Sequence, residues 1–323
     1  MNKASSIMYG MRPSVILAPM SGVTDFAFRV ISREHGAKLC FLEMLAANSL
    51  IRNHAATLTF LKTNKYDMPL AAQLLGNDPD IMLEAARRLI SMVKVSFLDV
   101  NCGCPAKKVV KKGAGSHLLR DTKKLRSILR RLSSSLPIPV TAKIRTGFSR
   151  QDREEAVTTA RICQDAGAST LFVHGRTRAQ GYAGEIDYGC IRAIKDALDV
   201  PVYGSGNIFG PISAKRMFDE TGCDGILVAR GALGNPWIFG SLEQYMKNGQ
   251  IAEGPALAAR KKVLAKHLSL VEKHKDARAS SKLGMMQKIA MWYMKGLPDA
   301  AWTRHRICQT KTYKELLGLL AAI

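Results

Sequence analysis

The chain has 323 residues, 47% of them hydrophobic and 23% charged, the balance of a folded globule too long for one average core. Its apolar runs stop far short of the roughly 18 residues that span a bilayer, and no continuous apolar stretch of a secretion signal opens it. Lys and Arg total 48 against 26 Asp and Glu, a formal +22, which points to a polyanionic partner, nucleic acid first.

Short apolar or β-branched runs predict strands at 15–20, 39–44, 69–75, 97–101, 140–145, 170–174, 202–205 and 225–229. Helical periodicity lies between them, as in 79–93, where Ile81, Leu83, Ala86, Leu89 and Ile90 are the apolar positions, and in 152–166. Strands that alternate with helices and lack polar alternation predict a parallel sheet covered on both faces. Eight is the number that closes a (β/α)8 TIM barrel; a doubly wound open sheet is the competing arrangement. Beyond 255 only helical segments follow, at 256–274, 280–295, 302–309 and 313–322. The expected division is a barrel domain over 1–245 and a basic all-α domain over 246–323. The second part holds 15 basic and 5 acidic residues, +10 in 78 positions against +12 in the preceding 245.

In such a barrel the active site stands at the C-terminal ends of the strands. Here those ends carry Met20, Glu43, Gln73, Asn101 to Cys104, Lys143 with Arg145, His174 with Arg176, Asn207 and Arg230. The last two strands run into Gly204-Ser205-Gly206-Asn207 and Ala229-Arg230-Gly231. Glycines there let backbone amides approach a phosphate, and Arg230 adds charge and directed donors. Lys143 stands in Thr-Ala-Lys-Ile-Arg, and a lysine in an apolar strand is costly unless it meets an anion. With Gln73 and His174 it can surround a flat heterocycle, and an isoalloxazine suits it because the reduced ring is anionic.

Seven cysteines, odd in number and scattered, predict inert thiols in a reducing cytoplasm, with no disulfide framework and no metal spacing. Cys104 stands apart. It lies in Asn101-Cys102-Gly103-Cys104-Pro105, where Gly103 permits a tight turn at the barrel mouth. Ten basic residues and one acidic residue follow between 105 and 131. A thiol beside such a loop implies a nucleic-acid substrate.

Four segments together resemble the tRNA-dihydrouridine synthase family: Ala18-Pro19-Met20-Ser21-Gly22-Val23-Thr24-Asp25, Asn101-Cys102-Gly103-Cys104-Pro105, Lys143-Ile144-Arg145-Thr146-Gly147 and Val173-His174-Gly175-Arg176-Thr177-Arg178. The run Cys104-Pro105-Ala106-Lys107-Lys108-Val109 is most similar to its bacterial B-type branch, and the likeness continues through Asn235-Pro236-Trp237-Ile238-Phe239 into the tail. The resemblance implies an FMN-bound TIM barrel that takes electrons from NADPH or NADH and reduces the C5–C6 double bond of uridines in tRNA. Carried over by position, Ala18, Pro19 and Met20 line the flavin, while Gln73, Lys143 and His174 contact its ring. Ser205, Gly206, Asn207, Ala229 and Arg230 hold its phosphate, and Cys104 matches the catalytic cysteine. Asn101, Lys107, Lys108, Arg145, Arg176 and Arg178 are the expected substrate contacts. Ser-Gly-Asn at 205–207 and Ala229 depart from the Asn-Gly-Asp and glycine frequent in that family. A flavin oxidoreductase acting on a small substrate and a non-catalytic RNA-binding barrel are the alternatives; the basic tail speaks against the first, the intact thiol and phosphate loops against the second.

Overall fold

A computed structural model describes residues 14–322, so the reading of the first twelve positions lies outside the described residues. Eight parallel strands close a barrel in chain order: β1 Val15–Leu17, β2 Cys40–Ala46, β3 Leu70–Leu75, β4 Phe97–Asn101, β5 Val140–Arg145, β6 Leu171–His174, β7 Val202–Ser205 and β8 Gly225–Val228. The seam is the β1–β8 pair, with Ile16 opposite Leu227. The open-sheet alternative is thereby excluded. β1 stops earlier than expected, before Pro19, which has no N–H to give a ladder.

The outer helices are α1 Phe26–Glu34, α2 Pro79–Met92, α3 Thr122–Ser135, α4 Arg153–Asp165, α5 Tyr188–Asp196, α6 Pro211–Thr221 and α7 Ile238–Asn248. Aspartate caps several of them. Asp78 accepts from the amides of Asp80 and Ile81, and Asp152 from that of Glu155, satisfying donors that a first turn leaves orphaned.

Alternation along each strand sorts the barrel interior into layers. Phe97, Asp99 and Asn101 stand at every second position of β4, as do Thr141, Lys143 and Arg145 on β5 and Phe172 and His174 on β6. The register brings Gln73 opposite Asp99, Asn101 opposite Lys143, and Arg145 opposite His174. Below lies an aromatic plug. Phe41 meets Phe97 at 5.5 Å and Phe172 at 5.6 Å, and Phe172 meets Tyr203 at 5.5 Å between ring centroids. A polar layer therefore rests on an apolar floor.

The tail forms α8 Leu257–His274, α9 Ala279–Tyr293, α10 Ala300–Gln309 and α11 Tyr313–Ala321. Helix α7 runs through the expected boundary at 245 and ends at Gly249, whose φ of 72° supplies the left-handed stop. The helical bundle shares its core with the barrel. Ala27 of α1 is buried among Leu264, Leu268, Met286, Ile289 and Tyr293, and Phe28 meets His267 at 5.7 Å and Trp292 at 6.2 Å. Lys275 reaches Asp25 at 3.4 Å, and Lys266 reaches Glu34 at 2.6 Å. Among the described residues no helix is long and apolar enough to cross a membrane.

Candidate active site

At the C-terminal mouth of the barrel lies a cavity of about 430 Å³, within the range of cofactor sites. Its wall includes Ala18, Pro19, Met20, Gln73, Asn101, Cys104, Lys143, Arg145, His174, Ser205, Gly206, Asn207, Ala229 and Arg230. Every residue expected to line the flavin, the thiol, and two of the six expected substrate contacts therefore meet at one place.

Cys104 is half-buried on that wall, and its turn is braced from several sides. Asn101 Oδ1 accepts from the amides of Gly103 at 3.2 Å and Cys104 at 2.9 Å. The Cys104 carbonyl accepts from the amide and hydroxyl of Ser116 at 3.1 and 2.9 Å. Gly115 fits beneath only because it has no side chain: a Cβ there would lie 2.9 Å from the Cys104 oxygen, at a φ of +63°. The lysine-rich loop is thus folded back under the thiol, with Lys107, Lys108, Lys111 and Lys112 exposed outside the cavity.

The field of the site is positive. Burial, and then the Arg145 charge, push the Lys143 ammonium down to about 8, against the pull of Asp99. Burial first, followed by Lys143, Arg145, Arg176 and Arg230, drives His174 down to about 2, so its imidazole is neutral. His174 Nε2 is buried with no hydrogen-bond partner. A buried orphan in a cavity wall is a group awaiting a ligand.

Four expectations change at the rim. Arg176 is 2% exposed and stands behind the cavity wall, donating to the Gly184 carbonyl and to Asn207 Oδ1. Arg178 lies over the Phe148 ring at 5.2 Å, also outside the cavity. Arg145 lines the cavity, but its donors go to the carbonyls of Gly103, Thr177 and Gly181 at 2.7, 3.0 and 2.9 Å. Glu43 leaves the rim because β2 slips register between Phe41 and Met44. Met44 lines the cavity instead, while Glu43 accepts from the Gly22 amide and faces Lys275 at 3.8 Å. Burial raises its carboxyl.

Several wall residues escaped the sequence reading. Lys288 and Trp292 of α9 stand in the cavity wall, beside Tyr182 and Phe209 from the barrel loops. Arg230 lies 5.0 Å from the Tyr182 ring and 5.7 Å from that of Phe209, and Lys288 lies 5.2 Å from Trp292. Cations alternate with aromatic faces around the mouth. Nothing in local sequence places α9 there. Asp99, between the aromatic plug and Asn101, had a signal: a carboxylate in phase with Phe97 and Asn101 inside an apolar strand.

The family model described as dihydrouridine synthase (Dus) matches residues 16–322. The chain is 38% identical to tRNA-dihydrouridine synthase B of Pseudomonas aeruginosa over 292 residues, 90% of this chain and 87% of that one. It is 36% identical to a probable tRNA-dihydrouridine synthase 1 of Synechocystis, covering 95% of this chain and 85% of that one. Among solved structures, a 2-naphthoyl-CoA reductase complex superposes with a TM-score of 0.54 at 11% identity, over 73% of this chain and 50% of that chain. That likeness concerns the fold alone.

Proposed function

The chain belongs to the dihydrouridine synthase family, and from that premise we propose that it reduces uridine to dihydrouridine in tRNA with FMN as cofactor and NADPH or NADH as electron donor. The observation that carries the reading is the convergence of Cys104, Gln73, Lys143, His174 and the Ser205–Asn207 and Arg230 loops on one cavity.

The residues present fit FMN. The unpartnered His174 Nε2 and the Lys143 ammonium face a space of cofactor size, and a ring that becomes anionic on reduction suits a buried cation. At Gly206 φ is +133° and a Cβ would strike Ile186 at 2.3 Å, so bare backbone lines the phosphate end beside Arg230. Ala18, Pro19 and Met20 supply the apolar wall. When bound, the flavin supplies hydride chemistry at the uracil ring. Cys104 Sγ then holds the proton that C5 requires and delivers it as general acid. Lys143 would offset the negative charge of a reduced ring, and neutral His174 would offer a hydrogen bond without adding to the positive field. Trp292 and Tyr182 give an unstacked base an aromatic surface at the mouth.

The four lysines at 107–112 and the basic bundle supply phosphate-seeking charge outside the cavity. The test is direct. Purified protein should show the visible absorbance of a bound flavin, and with NADPH and unmodified tRNA it should yield dihydrouridine by mass spectrometry of the digested RNA. Colourless protein that makes no dihydrouridine after FMN is supplied would refute the reading.

A further inference from the structure

Asp99 has no surface exposure, and Gln73 and Asn101 above it are 1% and 7% exposed. Its Oδ2 accepts from Gln73 Nε2 at 2.7 Å and its Oδ1 from the Thr141 hydroxyl at 2.7 Å. Gln73 Oε1 in turn accepts from Asn101 Nδ2 at 2.7 Å. Asn101 passes the direction on: Oδ1 faces the amides of Gly103 and Cys104, and the second Nδ2 proton goes to Met44 Sδ at 3.2 Å. All four hydrogen-bonding positions of Asn101 are thereby used within the protein.

Carboxamides are nearly symmetric in shape, so packing alone does not decide which end of Gln73 or Asn101 carries oxygen. Something must set the direction. If Gln73 were reversed, its oxygen would meet an oxygen of Asp99 and its NH2 would meet the NH2 of Asn101. Asn101 would have to reverse too, turning donors toward the Gly103 and Cys104 amides. With so little of them exposed, such reversals would cost the relay several buried hydrogen bonds.

We propose that Asp99 is a positioning residue that, as an acceptor at the end of the chain, fixes the direction of the Gln73 and Asn101 amides and so aims the Asn101 carbonyl at the Cys104 turn. Its bearing on the reaction rests on the reading of Cys104 as proton donor; the relay itself does not. Burial pushes the Asp99 carboxyl up to about 7, against Gln73, Thr141 and Lys143, which pull it down. The direction survives protonation, because a proton on Oδ1 is donated to Thr141 while Oδ2 still accepts from Gln73. For the same reason Asp99→Asn is tolerated, with its new NH2 turned to Thr141.

A reversed relay supplies the test. Asn101→Asp still accepts from Gly103 and Cys104 but presents a second oxygen to Gln73, which then stands between two carboxylates with a donor at one end only. Adding Asp99→Asn gives Gln73 a donor below and an acceptor above, so both of its contacts are paired again with opposite polarity, and only the weak Met44 Sδ contact stays lost, as it does in Asn101→Asp. Two readouts apply, neither needing tRNA nor a nicotinamide: the melting temperature, and the rate at which iodoacetamide alkylates Cys104, located by peptide mass spectrometry with exposed Cys308 as internal reference. Asn101→Asp should lower the first and speed the second, relative to Cys308, by roughly tenfold, the worth of one hydrogen bond. The double variant should return both to the values of Asp99→Asn alone. A double variant no better than Asn101→Asp, or unfolded alongside it, overturns the relay, as does an Asn101→Asp protein indistinguishable from the parent. A soluble double variant beside an insoluble single one is the same rescue. Failure of Cys104 as proton donor would appear elsewhere, as retained turnover in Cys104→Ala.

Discussion

Arg145 donates from Nε to the carbonyl of Gly103 at 2.7 Å, tying strand β5 to the residue directly before Cys104. The same guanidinium holds Thr177 and Gly181, so one buried side chain fastens the β4 turn to the β6 loop. Burial pushes Arg145 down to about 10, still well above neutrality, and the clamp stays charged at working pH.

The thiol on that turn is expected to serve proton delivery alone. Cys104→Ala should lower dihydrouridine formation by about 10²- to 10⁴-fold, the scale of a lost general acid. Flavin content and NADPH-driven reduction of the flavin, followed by absorbance in the absence of tRNA, should be unchanged. A variant with normal product yield removes Cys104 from the chemistry.

Lys143 links pH to two opposite trends. Its folded value of about 8 lies below the ordinary 10.5, so between those limits the unfolded chain holds a proton that the native protein does not. The residue's contribution to stability therefore rises with pH across that window. Flavin reduction should move the other way, slowing as the ammonium is lost above about 8. Lys143→Ala should flatten both trends relative to the parent in thermal melts and stopped-flow reduction. Identical pH profiles would show that Lys143 does not face the ring.

The bundle is fastened to the barrel at Gly234, where φ is +66° and a Cβ would lie 2.3 Å from the Trp292 carbonyl. Gly234→Ala should cost more than about 1 kcal/mol, since strain and overlap add. Gly284 of α9 has no atom within 4 Å of a new Cβ, and Gly284→Ala should instead stabilise by about 0.5–1 kcal/mol through helix propensity. Opposite shifts in melting temperature are expected. Equal shifts would mean that α9 is not seated on Gly234.

Binding of tRNA should weaken steeply with salt. Replacing Lys107, Lys108, Lys111 and Lys112 by Gln should reduce the slope of log affinity against log salt by about 0.7–0.9 for each phosphate that these lysines neutralise. Because the side chains stand outside the cavity, flavin content should not change. An unchanged slope would move the phosphate track elsewhere.

The barrel was legible because eight apolar runs alternate with helices, and the motif residues fall at their ends. Phase within a strand could have found Asp99, the second position before Asn101 on β4, but it was not singled out. What escaped was set by tertiary packing. Lys288 and Trp292 enter the cavity because α9 docks on α1, through Phe28 and Ala27, which local patterning cannot show. Glu43 was misplaced because a register slip in β2 has no marker such as glycine. Arg176 and Arg178 were expected as substrate contacts from their place in the motif, yet the first bonds a loop carbonyl and the second lies over an aromatic ring.

The Ile16–Leu227 seam has a consequence for biosynthesis. The first strand leaves the ribosome with one edge unpaired, and its partner is made some two hundred residues later. At bacterial or eukaryotic elongation speeds that interval is on the order of ten to forty seconds. For that time the nascent chain carries an open sheet edge and uncovered aromatic plug residues, both prone to the wrong partner. Closure also leaves Phe28 and Ala27 uncovered until α8 and α9 emerge. A need for co-translational protection of the growing barrel is thus built into the order of its strands.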